Sequence, residues 1–141
     1  MKAIFVVLLL ISTFVQAQDS LSIGRVGSAS DTLTKTQAGF VLAGGGKDVE
    51  AAMMWLLARS GGGDVVIIRA SGSTGYNDYL FELSKVNSVE TLLIDSREKA
   101  MLPETAEKIR TAEALFIAGG DQWNYVKYWK DTEVSKALRF L

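Results

Sequence analysis

The 141 residues carry 15 Lys+Arg against 16 Asp+Glu, with no histidine and no cysteine, and the formal net charge is −1. That near balance gives no support for nucleic-acid binding, which needs a basic face against phosphates. Without Cys there is no disulfide and no thiolate site, and without Cys or His a zinc site has no support; Asp and Glu are not spaced for Ca²⁺ either, so no metal and no cofactor is expected.

The chain opens like a secretory leader. Lys2 supplies a positive start, Ala3 to Val15 is mostly apolar, and Val15-Gln16-Ala17 has the small-residue spacing of a signal-peptidase site. The apolar stretch is shorter than the ~20 residues a membrane-spanning helix needs. Residues 1–17 therefore read as a cleaved signal peptide, with a retained anchor or a buried first strand as the competing reading. The protein is expected to be exported, periplasmic or secreted. No Cys stands at the start of the mature chain, so neither a lipid anchor nor any stable membrane attachment is expected. Cleavage removes Lys2 and leaves residues 18–141, an ordinary length for one domain.

Gln18 to Thr36 is rich in Ser, Thr, Gly and Asp and reads as a loop, so 18–38 is expected to be a flexible N-terminal segment. Gly39-Phe40-Val41-Leu42-Ala43 reads as a strand that ends in Gly44-Gly45-Gly46. Val49, Ala52, Met53, Leu56 and Leu57 recur at helical spacing, predicting a helix from about Asp48 to Arg59 that stops at Gly61-Gly62-Gly63. Val65-Val66-Ile67-Ile68 is a continuously apolar, buried strand. Ala70 to Gly75 is a loop and Tyr76 to Lys85 a helix. Val89 to Asp95 is a third strand. Pro103 suits the first turn of a helix reaching about Thr111. Ala114 to Ala118 is a fourth strand, and two helical stretches close the sequence. In the aromatic group Trp123, Tyr125, Tyr128 and Trp129, one face is expected to pack on the sheet.

Strands alternating with helices predict βαβ units. The fold class is α/β: a three-layer, flavodoxin-like parallel sheet with helices on both faces, incomplete at the C-terminus. In such sheets ligands bind beyond the carboxyl ends of the strands, which singles out three loops. Gly44-Gly45-Gly46-Lys47-Asp48 follows a strand but matches neither G-x-G-x-x-G nor a P-loop, so nucleotide binding is the weaker reading of it. Ser71 and Ser73 lie in a glycine-containing loop, yet no G-x-S-x-G elbow is present and no histidine exists to act as base. Gly119-Gly120-Asp121-Gln122 is the most informative. A glycine pair at a strand end leaves N–H groups uncovered for an oxyanion, and Gln122 and Asp121 are placed to bind substrate.

These segments resemble the cyanophycinase-like members of the S51 serine peptidase family, which have a class I glutamine-amidotransferase-like fold. The resemblance runs through Phe40 to Gly46, Val66 to Gly72, Thr91 to Asp95 and, most specifically, Phe116 to Gln122, so that 39–141 corresponds to the N-terminal part of such a domain. It implies oxyanion-hole backbone at Gly119 and Gly120, a substrate-pocket role for Gln122, and a peptide or isopeptide as substrate. The chain also departs from the family. The family's nucleophilic serine sits on a turn after the next strand, in a Gly-Thr-Ser-Ala-Gly-like stretch, and its His and acidic partner come later still; no such stretch and no His occur here. The expectation is a serine-type peptidase truncated before its nucleophile and inactive alone. The alternative is a non-catalytic secreted α/β binding module. Oligomeric state is not legible.

Overall fold

The computed structural model describes residues 21–141; the expected leader at 1–17 lies outside them. The described elements run β1 (Ser22–Gly27), α1 (Glu50–Arg59), β2 (Asp64–Arg69), α2 (Asn77–Leu83), β3 (Ser88–Leu93), α3 (Arg97–Met101), α4 (Pro103–Thr111), β4 (Ala114–Ile117), α5 (Gln122–Trp129) and α6 (Glu133–Phe140). They form an α/β unit around an open four-stranded sheet of order β1-β3-β2-β4. β2 pairs in parallel with β3 on one side and with β4 on the other.

The sheet is mixed, which corrects the expectation of an all-parallel one. β1 runs antiparallel to β3, with a register shift between Ser22 and Gly24. It lies inside the segment expected to be a loop. Its sequence, SIGRVG, has too few apolar positions to announce a strand, and it forms because β3 offers an edge to pair with. Gly27 is required there: its φ is +93°, and a Cβ would lie 2.4 Å from the Asn87 carbonyl oxygen. Conversely, the strand expected over Gly39–Ala43 is not formed; residues 31–44 hold no regular element. An apolar alternation makes a strand only when a neighbouring strand completes its hydrogen bonds.

β2 is the middle of the structure. Val65, Val66, Ile67 and Ile68 are all buried. Their side chains alternate between two clusters, as the period of a strand requires. Val65 and Ile67 join Met53 and Leu57 of α1 and Leu80 of α2. Val66 and Ile68 join Ile109 of α4, Trp129 of α5 and Val134 of α6. Helices thus contribute to the cover of both alternating sets. Each such residue stabilises by about 1.5–3 kcal/mol when fully buried. Trp129 also donates its indole N–H to the Ile94 carbonyl at 2.8 Å, so its one polar atom is satisfied inside the core. Pro103 occupies the first turn of α4. Ser135 completes a capping box with Thr132 at the start of α6.

At the opposite end of the sheet from the carboxyl termini of the parallel strands β2, β3 and β4 lies a cavity of about 260 Å³, lined by Arg25, Asp64, Glu90 and Lys108 among others. Glu90 on β3 is buried and accepts from Arg25 of β1 at 2.6 Å and from Lys108 of α4 at 3.0 Å. One carboxylate therefore joins three elements. Burial pushes the Glu90 carboxyl up, but hydrogen bonds from Ser22, Arg25 and Lys108 outweigh it and hold the group below its ordinary value of 4.5. A carboxyl lowered in the folded state contributes stability above the ordinary Glu range and loses it as pH falls through the lowered value. Glu90→Gln is expected to cost about 1.5–3 kcal/mol at neutral pH, the worth of charged hydrogen bonds. Thermal melts across the acid range check this: the difference in Tm between wild type and Glu90→Gln should shrink as pH falls. A constant difference would remove Glu90 from the acid response.

Candidate functional site

Because β2 and β4 are parallel neighbours, with Ile68 opposite Ile117, their carboxyl ends open on the same rim. The loops that follow them meet there: a Cβ placed on Gly120 would lie 3.9 Å from Ser71 Oγ. Two of the three sequence-selected loops are therefore adjacent. The third is not at a strand end. Cβ atoms at Gly44, Gly45 and Gly46 would meet nothing within 4 Å. Asp48 nevertheless reaches toward the rim. Tyr76 Oη donates to Asp48 Oδ2 at 2.9 Å, and the Tyr76 ring packs edge-on against Phe116 of β4.

The β4 loop is built by its neighbours. Ala118 is buried, and its N–H donates to the Ile68 carbonyl. Gly119 and Gly120 are exposed, and among the described residues no group accepts from either N–H. Asp121 is the N-cap of α5, its Oδ1 accepting from the Trp123 N–H at 2.9 Å. One oxygen of this expected substrate-binding side chain thus holds the helix start, worth about 1 kcal/mol. Gln122 is the first residue of α5 and is exposed. Trp123 is 67% exposed, whereas Trp129 is buried and Tyr125 stacks on it at 4.5 Å between centroids.

Sequence reasoning missed two residues of this rim. Arg69, the last residue of β2, donates from Nε to the Ser71 carbonyl and from Nη1 to the Ser73 carbonyl, both at 2.5 Å. Gly72, at φ +103°, lies against that guanidinium; a Cβ there would be 2.2 Å from Arg69 Nη2. The loop after β2 is therefore wrapped around an arginine. Tyr125 is the second: its hydroxyl donates to the Ala118 carbonyl at 2.6 Å. Burial raises the phenol of Tyr125 above its ordinary value, only partly offset by Arg69. No motif marks either residue, because Arg69 acts on the carbonyls of the loop that follows it and Tyr125 on a carbonyl seven positions before it. A third rim carboxylate, Asp95 after β3, is paired with Lys99 at 3.0 Å.

Chemically, the rim offers uncommitted backbone donors and an amide side chain. Ser71 has no base in hydrogen-bond reach among the described residues. Among the described residues no cluster of three His, Cys, Asp or Glu is disposed to hold a metal ion, and no helix is long and apolar enough to cross a membrane. Comparison with protein-family models finds no match, and comparison with curated proteins finds none.

The two glycines should respond differently to a methyl group. A Cβ at Gly119 meets open space, but one at Gly120 would sit 2.7 Å from Tyr125 Oη. Gly119→Ala is expected to leave stability within about 0.5 kcal/mol. Gly120→Ala should displace the tyrosine hydroxyl and cost about 1 kcal/mol. In a Tyr125→Phe background the second cost should vanish. A denaturant-unfolding double-mutant cycle measures this coupling, and additive effects would show that the contact does not shape the loop.

Proposed function

We propose that this chain carries the N-terminal part of an exported serine-type peptidase of the cyanophycinase-like kind, built on a flavodoxin-like three-layer domain and acting on a peptide or isopeptide bond. The observation that carries the reading is the meeting of the loops after β2 and β4, with the Gly119 and Gly120 N–H groups uncommitted. In this reading those donors take the carbonyl oxygen of the scissile bond as it becomes negatively charged. The Gln122 amide positions the substrate, and Asp121 helps to bind it while fixing the start of α5. A donor aimed at a developing oxyanion contributes about 3–4 kcal/mol to the transition state. The nucleophilic serine and its histidine are supplied by residues outside 1–141, and export is directed by residues 1–17.

The absence of histidine from all 141 residues favours one other reading, a secreted α/β binding module that uses the same rim without chemistry. In both readings residues 18–141 alone are not hydrolytic. Purified 18–141, incubated with β-aspartyl and Asp-X peptides, should show no turnover above buffer. Turnover abolished by a serine-directed inhibitor would contradict the assignment of the nucleophile. In protein completed by its nucleophile segment, Gln122→Ala should lower kcat/KM with the folded fraction unchanged. An unaltered kcat/KM there would remove Gln122 from the site.

A further inference from the structure

α1 is apolar on its outer face as well as on its inner one. Eight of its ten residues are apolar, and the two charged ones, Glu50 and Arg59, stand at its ends. A helix that is apolar all round is one that is covered all round. Met53 and Leu57 face the core, but Ala51, Met54, Trp55 and Ala58 are exposed, Met54 at 48% and Trp55 at 41%. On α4 the exposed positions are polar at Glu104, Glu107 and Thr111, as a face in water requires. A contiguous apolar face on the outside of a helix marks an interaction surface.

The order of residues makes this face complementary to itself. Ala51 and Ala58 are two turns apart and form a line of small side chains down its middle, with Met54 on one flank and Trp55 on the other. The midpoint of the helix falls between Met54 and Trp55. A two-fold axis at that level, perpendicular to the helix and lying between two copies, sets the helices antiparallel. Ala51 of each copy then meets Ala58 of the other, Met54 meets the second copy's Met54, and Trp55 meets the second copy's Trp55. This is the condition for an isologous contact, in which residue i meets j and j meets i. Charge matches too. Glu50 at the start of one helix comes level with Arg59 at the end of the other, and the antiparallel helix dipoles add to the match. Glu50 has no ion pair among the described residues. Arg59 donates from Nη1 to Gln37 and to the Ala38 carbonyl, yet its buried Nε has no acceptor there. Its guanidinium lies 3.7 Å over the Trp55 ring, which holds the cation at the edge of the face.

We propose that the outer face of α1 is a homodimer interface, and that its occupant is α1 of a second copy of this chain, packed antiparallel about a two-fold axis between Met54 and Trp55. The proposal uses no residue of the rim loops and stands apart from the peptidase reading.

The chain has no cysteine, so single introduced cysteines report contacts between copies without background. In the full chain, Met54→Cys alone is expected to form a disulfide between copies under mild oxidation, because the two Met54 positions meet near the axis. Differently tagged Ala51→Cys and Ala58→Cys chains, once mixed, should cross-link to each other in preference to their own kind. Glu104→Cys, exposed on α4, is the collision control and should stay uncross-linked. Sedimentation velocity on the unmodified chain should show a dimer. Met54→Glu opposes two carboxylates at the axis and should raise the dimer's Kd about 100-fold or more; the cross-links are a readout that does not depend on how this variant folds. A unmodified chain that is monomeric at about 100 μM would overturn the proposal, whatever else then covers the face. A dimer that persists in Met54→Glu, or Ala51→Cys and Ala58→Cys chains that each prefer their own kind, would overturn it as well, by placing the contact elsewhere or making it parallel.

Discussion

The four consecutive apolar side chains of Val65–Ile68 impose the main constraint on this protein. A strand sends alternate residues to opposite faces, so a run with no polar position cannot leave either face to water. Two sets of helices meet that requirement. α1 and α2 cover Val65 and Ile67, while α4, α5 and α6 cover Val66 and Ile68. Because β2 is held from both sides, its ends are fixed in position, and the loop after Arg69 starts from a rigid point. The same holds for β4, registered on β2 from Val65–Ala114 to Ile68–Ile117. The proximity of Ser71 and Gly120 is a consequence of core packing before it is a matter of chemistry.

Polar groups complete what apolar burial begins. Asn77 is buried; it donates to the Gly24 carbonyl at 2.9 Å and accepts from the Thr91 hydroxyl, tying α2 to β1 and β3. Asp64 accepts from Asn87, Ser88 and the Thr32 N–H, fastening the irregular stretch after β1 to the start of β2. Burial raises the Asp64 carboxyl, and these hydrogen bonds, with Arg25, bring it below its ordinary value. The amino-terminal end of the sheet is thus cross-tied by charge. At the carboxyl end of β4, Gly119 and Gly120 are exposed and no group among the described residues accepts from their N–H groups. In open α/β sheets ligands bind beyond the carboxyl ends of the strands.

Much of this was legible in the sequence, for physical reasons that differ by element. β2 and β4 are legible because their apolar residues are contiguous, and β3 through Val89 and the apolar run Leu92–Ile94. α1 was marked by helical spacing and a glycine stop, and α4 by Pro103. β1 was hidden because Gly24, Arg25 and Gly27 carry no apolar alternation; it exists through pairing with β3. Gly39–Ala43 shows the reverse, a strand pattern that lacks a paired neighbour. At the rim, Gly119 to Gln122 stood out through two glycines at a strand end. Arg69 and Tyr125 did not, since an arginine that holds its own loop and a tyrosine that reaches back seven residues to Ala118 have no signature until the chain is folded.

In the proposed function, residues 21–141 would present an oxyanion rim to a nucleophile supplied from outside residues 1–141. Native protein captured with an antibody to this segment and treated with a fluorophosphonate probe tests it most directly. Mass spectrometry of the labelled peptides then identifies the reactive serine. The account predicts a single labelled serine in a peptide outside residues 1–141. Labelling of Ser71 or Ser73, or no labelling of correctly folded native protein, would contradict it.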